Sequence, residues 1–295
     1  MSKSILVVGA TGNYGKAVVS QLAKDGFDVR IFTRKREKAV KFFGEKFTIF
    51  EGNVEDDESL RKALEGCYGV HVNLRGWWKD KSHDRIEHRG TANVVRLAKK
   101  AGVERLTYLS NIHAREEHSY LPHLKAKIDA EKVVRESGIP YAIFACTFFM
   151  ENLHHLEQGD SIRVSWVKQP YHYLAAADYA MMVSKAFQLP EAPNKRFEVY
   201  GPEAIPADRA TKDFIAIVRP GTKITPFPMW LSTIYMYLIR HKNRQYALKI
   251  GRMYEKYGEP GDPSKADLSL GRPTTTFRQW CEAQRPQYPQ SASAD

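Results

Sequence analysis

Residues 5–16, Ile-Leu-Val-Val-Gly-Ala-Thr-Gly-Asn-Tyr-Gly-Lys, lead a buried-strand pattern into three glycines spaced by three and then into an amphipathic helix. A short continuous apolar run of this kind suits a strand covered on both faces. Gly9, Gly12 and Gly15 let the backbone turn tightly and come close to a ligand. The helix that follows offers N–H groups and the positive end of its dipole. Strand, Gly-x-x-Gly-x-x-Gly and helix in that order form a diphosphate-binding turn. They predict that Gly9, Thr11, Gly12, Asn13, Tyr14 and Gly15 hold a dinucleotide.

The end of the second strand selects the dinucleotide. The first helix is expected over residues 14–25, stopping at Gly26, and the second strand over 28–32. An NAD enzyme usually places Asp or Glu at this point for the ribose 2′-hydroxyl. Here the chain reads Thr33-Arg34-Lys35-Arg36, with Lys38 just beyond and no carboxylate before Glu37. A guanidinium in this position suits a 2′-phosphate. The expected cofactor is therefore NADP(H), with Arg34 as the main anchor and Lys38 as a second charge.

Strand and helix go on alternating through the first half. Strands are expected at 47–51, 69–74, 105–110 and 141–146, and helices at 58–64, 84–101 and 122–137, which is an α/β doubly wound parallel (Rossmann) sheet. Prolines and glycines thicken after Pro190, which predicts a smaller mixed C-terminal substrate lobe. The expected division is a cofactor-binding core over 1–153 and a mixed lobe over 154–295, with parts returning to the core. Ligands of such sheets lie at the carboxyl ends of the strands. That rule selects Asn53 and Val54 for the adenine and Asn73, Leu74 and Arg75 along the cofactor. It also selects Ser110, Asn111 and His113 after the fifth strand, and Thr147, Phe148 and Phe149 after the sixth. Trp77 and Trp78 follow the fourth strand, where they either cap a flat substrate by stacking or anchor their loop by hydrophobic packing.

Composition sets the outer limits. A chain of 295 residues, 43% hydrophobic, is enough for one large domain or a domain with a smaller lobe. It enters a strand within four residues of its start, so no signal peptide is expected, and the apolar stretch 229–239 is too short to span a bilayer. Three cysteines, Cys67, Cys146 and Cys281, show neither paired nor metal-type spacing; a reducing, cytoplasmic setting and no metal are expected. The formal charge is +11, and residues 219–260 carry eight Lys/Arg against two Asp/Glu. With no nucleic-acid motif in view, that surface is read as drawing in an anionic cofactor or substrate rather than a specific nucleic acid. A homodimer remains open.

Other stretches carry a resemblance. Gly9-Ala-Thr-Gly-Asn-Tyr-Gly15 resembles the fingerprint of the NmrA-like group of atypical short-chain dehydrogenases/reductases. His123-Leu-Lys-Ala-Lys127 with Glu131, Phe149-Met-Glu-Asn-Leu153, Asp178-Tyr-Ala180, Tyr200-Gly-Pro-Glu-Ala204 and Gly271-Arg-Pro-Thr-Thr275 are similar to further segments of that family. The resemblance covers nearly the whole chain and implies NADP(H) binding in a Rossmann fold, with a substrate lobe at the C-terminal end. Members include reductases of quinones, dyes and plant phenylpropanoids, and also NADP(H)-binding redox sensors and transcriptional co-regulators. One departure is that many relatives end the sixth strand in Arg-Pro, where this chain has Ala145-Cys146-Thr147.

Short-chain reductases typically use Tyr-x-x-x-Lys, two side chains on one helix face. The lysine holds the nicotinamide ribose and lowers the phenol pKa. Lys127 fits the lysine position, but the residue four before it is His123. His123 is then the candidate proton donor, because its ordinary pKa is near neutral. Tyr120 and His113 are alternatives from the preceding loop, and Ser110 occupies the place of the larger family's serine. Cys146 closes a buried strand and has no adjacent base, so no catalytic role is assigned to it. Phe148 is expected beside the nicotinamide. Two readings follow. One is an NADPH-dependent reductase of a small planar acceptor, such as a quinone or related carbonyl or dye compound, with an aromatic substrate accepted. The other is a non-catalytic NADP(H)-binding sensor or regulatory protein.

Overall fold

The computed structural model describes residues 2–76, 82–155, 157–158, 161–165, 169–190, 194–227 and 242–285. Trp77, Trp78 and the apolar stretch 229–239 lie outside the described residues.

Seven strands make one sheet in which every pairing is parallel: β1 (Ser4–Val8), β2 (Asp28–Thr33), β3 (Thr48–Glu51), β4 (Gly69–Val72), β5 (Arg105–Asn111), β6 (Tyr141–Cys146) and the strand Lys195–Val199. Their spatial order is Lys195–Val199, β6, β5, β4, β1, β2, β3. The winding direction reverses between β1 and β4, which opens a crevice at their carboxyl ends.

The local causes are visible in the sequence. Ile5, Leu6, Val7 and Val8 in β1 are all essentially inaccessible to solvent. Helix α1 (Asn13–Lys24) buries Gly15, Val18, Val19 and Leu22 and ends at Gly26 with φ +86°. There Phe27 N–H reaches Leu22 O at 3.1 Å and Gly26 N–H reaches Ala23 O at 3.2 Å, the paired bonds of a Schellman C-cap. Asp56 caps α3 (Asp57–Leu64) by accepting from the Glu58 and Ser59 amides. Pro122 occupies the first turn of α5 (Pro122–Glu136), where its missing N–H costs nothing.

Two expectations are corrected. β4 stops at Val72 rather than at 74: the Asn73 amide makes the last rung to Val8 O at 3.0 Å, and β1 then turns away at Gly9. The helix expected over 84–101 is two windings, a π-helical segment His83–Arg89 and then α4 (Gly90–Lys100). Gly90 N–H bonds to Arg85 O, five residues back. Glu87 in the wide segment is buried with its carboxylate on Gly76 N–H, a long-range contact that periodicity does not encode.

The chain divides into two compact units. One contains Met1–Cys146, Ala176–Val199 and Asp262–Arg272; the other contains Thr147–Ala175, Tyr200–Gly261 and Pro273–Asp295. The first holds the seven-stranded sheet and a core built on Leu6, Val8, Phe32, Leu60, Val72 and Tyr108, among others. Each such side chain contributes roughly 1.5–3 kcal/mol by leaving water. Helix α6 (Ala176–Gln188) packs on α1 in this unit, where Ser184 and Gln188 both bond to Asp25. The second unit has its own core around Met150, Leu153, Tyr173, Phe214, Phe277 and Trp280. It includes a two-stranded antiparallel sheet, Tyr171–His172 with Ala204–Ile205. Strand Ser161–Ser165 there pairs antiparallel with Glu157–Gln158 and parallel with Lys223–Phe227. The Glu-Asn-Leu segment serves this core, with Glu151 accepting from the Trp280 indole at 3.1 Å. Gly201 of the Gly-Pro-Glu-Ala turn lies so near the Tyr173 carbonyl that a Cβ would meet it at 1.8 Å.

Candidate functional site

The glycine turn at the switch point admits no other residue at two of its three glycines. Gly9 has φ +88°, and a Cβ there would lie 2.0 Å from the Asn73 carbonyl oxygen. A Cβ on Gly15 would lie 2.2 Å from Gly9 O, whereas at Gly12 the nearest atom is 3.3 Å away. Gly12 N–H bonds to Gly9 O at 3.1 Å, which closes the turn. Gly12 is also the N-cap of α1; it brings no capping side chain, and the first turn holds no carboxylate. The positive end of α1 is thus kept free of competing negative charge from its own sequence. Backbone drawn in tightly, amides at a helix start and a small-residue surface fit a diphosphate.

The basic end of β2 divides by role. Arg36 opens α2 (Arg36–Phe43); its amide donates to Glu51 at 2.9 Å and its guanidinium to Ile49 O at 3.0 Å, so it ties α2 to β3. Arg34 and Lys38 are exposed. Lys16, which the sequence reading passed over, joins them from α1. Its ammonium lies 4.3 Å from the centre of the Phe42 ring, and that of Lys38 lies 6.0 Å from the same ring. Burial, then the charge of Lys38, lowers the Lys16 pKa. Its position directly after the last glycine was the available signal.

At the ends of β3 and β4, Val54 and Leu74 are buried, Asn73 is half-buried and Asn53 is exposed. Val54 O accepts from the Asn93 amide at 2.9 Å. A groove of about 510 Å³ opens beside Val54, lined in part by Arg85, Arg89 and Arg96. Its charges are matched internally, since these arginines pair with Glu55, Asp84 and Asp57.

Lys127 lies where the ends of β4 and β5 meet. Its ammonium donates to Leu109 O at 2.9 Å and Leu74 O at 3.2 Å, lies 5.1 Å from the centre of the Tyr108 ring, and is 3.6 Å from Glu87. Glu87 also accepts from Gly76 N–H at 2.6 Å and contacts His83 Nδ1 at 3.0 Å. Burial favours the neutral form of both members of the pair. In Lys127 burial wins and its pKa falls below the ordinary lysine value, although Glu87 pulls it up. In Glu87 the combined effect of Lys127, His83 and the Gly76 amide outweighs burial and holds the carboxyl below its usual range.

The proposed proton donors are placed differently. His123 is one turn from Lys127 on α5, with its ring 6.0 Å from that of His83. Burial, reinforced by His83, Lys127 and Arg75 against the pull of Glu87, lowers its pKa to about 4. An imidazolium acid near neutral pH, the role its ordinary pKa suggests, is therefore not available there. Ser110 is buried and its hydroxyl donates to Glu131, itself held by Arg196 at 3.2 Å and Arg135 at 2.9 Å. The serine thus joins a structural ion network instead of the Lys127 cluster. His113 is fully buried and lowered to about 3, chiefly by that burial, and Tyr120 is 57% exposed. Burial pushes the Cys146 thiol far above its ordinary pKa, which leaves no thiolate. Phe148 belongs to the second unit, where its ring packs against Tyr171 and Tyr173, 5.6 Å from each. Among the described residues no group of His, Cys, Asp and Glu is arranged for a metal ion, and no helix is long and apolar enough to cross a membrane.

Known proteins share this fold. The solved structure of Escherichia coli quinone oxidoreductase QOR2 complexed with NADPH superposes with a TM-score of 0.74 at 21% identity, over 95% of this chain and 99% of that one. Citrobacter triphenylmethane reductase complexed with NADP(H) gives 0.73 at 18% identity, over 96% and 99%. These likenesses establish the fold. In sequence the chain is 27% identical over 207 residues to the photosystem II assembly factor Ycf39 of Cyanophora paradoxa. That match takes in 67% of this chain and spans about 63% of the relative's length. The model of the NmrA-like family matches residues 1–205, which include the whole glycine turn, the basic end of β2 and the Lys127 cluster. On that match, the chain belongs to the NmrA-like family.

Proposed function

We propose that this protein is an NADPH-dependent reductase of a small planar electron acceptor, such as a quinone or a related carbonyl or dye compound. The observation that carries the reading is the turn at Gly9 and Gly15, where neighbouring backbone excludes a Cβ, followed at the end of β2 by Arg34 with no carboxylate before Glu37. The fold neighbours complexed with NADPH and NADP(H) support the same cofactor. The coenzyme would supply the hydride. The residues of this chain bind and orient it: the amides around residues 11–15 take the diphosphate, and Arg34, with Lys38 and Lys16, takes the 2′-phosphate. Asn53 and Val54 meet its adenine, Asn73 and Leu74 lie along it, and Lys127 takes the nicotinamide ribose. A planar acceptor suits a site without a phenol acid, because a quinone accepts hydride with little help from a strong proton donor. His123 in its neutral form supplies no such acid. The test is NADPH oxidation, followed by absorbance, against a panel of quinones, dyes and carbonyl compounds. Turnover with at least one quinone or dye is expected. Tight NADPH binding with no oxidation by any acceptor would sink the reductase reading.

A second reading, a non-catalytic NADP(H) sensor, is favoured by one observation: both catalytic candidates besides Lys127 are otherwise engaged. Ser110 is held by Glu131, and His123 is neutral. That reading requires NADP⁺ and NADPH to bind with different affinities and to shift a second equilibrium, such as association. Equal affinities with no change in association state would exclude it.

A further inference from the structure

We propose that Glu87 is the positioning residue of the Lys127 cluster, holding the lysine ammonium charged and fixed against the crest of β4 and β5. The inference rests on the coenzyme reading above for its purpose, but on geometry for its substance. Glu87 is buried on the π-helical segment and contacts three elements at once: Gly76 N–H after β4, His83 on its own segment and the Lys127 amine of α5. The same amine is bonded to the carbonyls of Leu74 and Leu109. A buried ammonium on two neutral carbonyls needs a counter-ion nearby to stay protonated. Among the other groups facing it only Glu131 pulls in the same direction, and less strongly than Glu87. Tyr108 on β5 and Cys146 on β6 remain protonated, held far above their ordinary values by burial. Arg75 after β4 is positive, and His123 on α5 is neutral above about 4. Glu131 on α5 is engaged by Arg196 and Arg135. That leaves Glu87 as the carboxylate in contact with the amine. The wide π winding seats Glu87 beneath the loop after β4, where a Cβ on Gly76 would already meet the His83 backbone at 2.5 Å.

The experiment reads Lys127 directly. The ¹³Cε resonances of the lysines are titrated in the wild-type protein and in E87Q, with Lys127 assigned by its loss in K127R, and NADPH affinity is measured by fluorescence over the same pH range. Removing the counter-ion is expected to lower the Lys127 midpoint by about one pH unit or more. NADPH affinity then falls earlier on the alkaline side in E87Q than in wild type, while the two agree within about twofold near pH 6. E87D keeps the charge on a shorter arm, and is expected to shift the midpoint less in the same direction. An unmoved midpoint in folded E87Q overturns the proposal. So does failure of both E87Q and E87D to fold, which would make the carboxylate a requirement of the fold alone. A shifted midpoint in a protein that binds no NADPH upholds the Glu87–Lys127 pair and rejects the coenzyme reading.

Discussion

Each side chain at the basic end of β2 has a different task, and the tasks separate by experiment. The Arg36 guanidinium is spent on Ile49 O, so its loss acts on stability; Arg34 and Lys38 have no carboxylate partner within ion-pair distance among the described residues. R34A is expected to weaken NADPH binding by about 1.5–3 kcal/mol, roughly tenfold to a hundredfold, while leaving NADH affinity within about twofold. K16Q is expected to act in the same sense and more weakly, because the amine also rests on the Phe42 face. Equal losses for the two coenzymes, measured by fluorescence titration, would assign these residues to the fold instead. The place of Arg34, exposed directly after β2, was legible from sequence because the strand before it fixes it. Glu87 and His83 were not. Their contact with each other follows the i, i+4 spacing, but burial beneath the loop after β4 and reach to Lys127 depend on a π winding and on a residue forty positions on, which no local pattern carries.

The glycine turn puts the element-scale account at risk. Gly9 and Gly26 both have φ close to +90°, yet a Cβ on Gly26 would meet nothing within 4 Å and one on Gly9 would lie 2.0 Å from a carbonyl. G26A should cost about 1–2 kcal/mol, from backbone strain alone. G9A adds a steric clash to that strain and should cost roughly 3 kcal/mol or more, along with coenzyme binding. Denaturant unfolding of the two variants compares them directly; equal losses would mean that the turn tolerates a side chain. The sequence displayed this element because its signal is local: strand, glycines and helix lie within a dozen residues. The expected end of β4 and the unbroken helix over 84–101 failed for the opposite reason. Both are set by neighbouring backbone, through Gly9 turning off β1 and the Gly76 amide donating to Glu87.

Across the whole molecule, buried histidines set the dependence of stability on pH. His71 lies inside the sheet on Thr107 Oγ1 at 2.9 Å with its pKa lowered to about 3 by burial, and His113 is lowered to about 3. Both bind a proton more readily in the unfolded chain, near pH 6.5, than in the folded one. Stability is therefore retained above about pH 6.5 and lost as pH falls below it, at roughly 2–3 kcal/mol for each histidine by pH 4.5. Urea unfolding at pH 7 and pH 4.5 checks the sign; a protein as stable at the lower pH would show that these rings are protonated in place. The alternating first half of the chain was legible as a doubly wound sheet because each element carries its own periodicity. That parts of the C-terminal half return to the core was expected; which parts return, Ala176–Val199 and Asp262–Arg272, is a matter of long-range packing that no local pattern carries. The proposed function depends on one coenzyme. Calorimetric titration of the wild-type protein with NADPH and NADH is the most direct measurement. The account predicts that NADPH binds more tightly by about tenfold or more, the contribution of a 2′-phosphate held by Arg34. No uptake of NADPH, or tighter uptake of NADH, would contradict it.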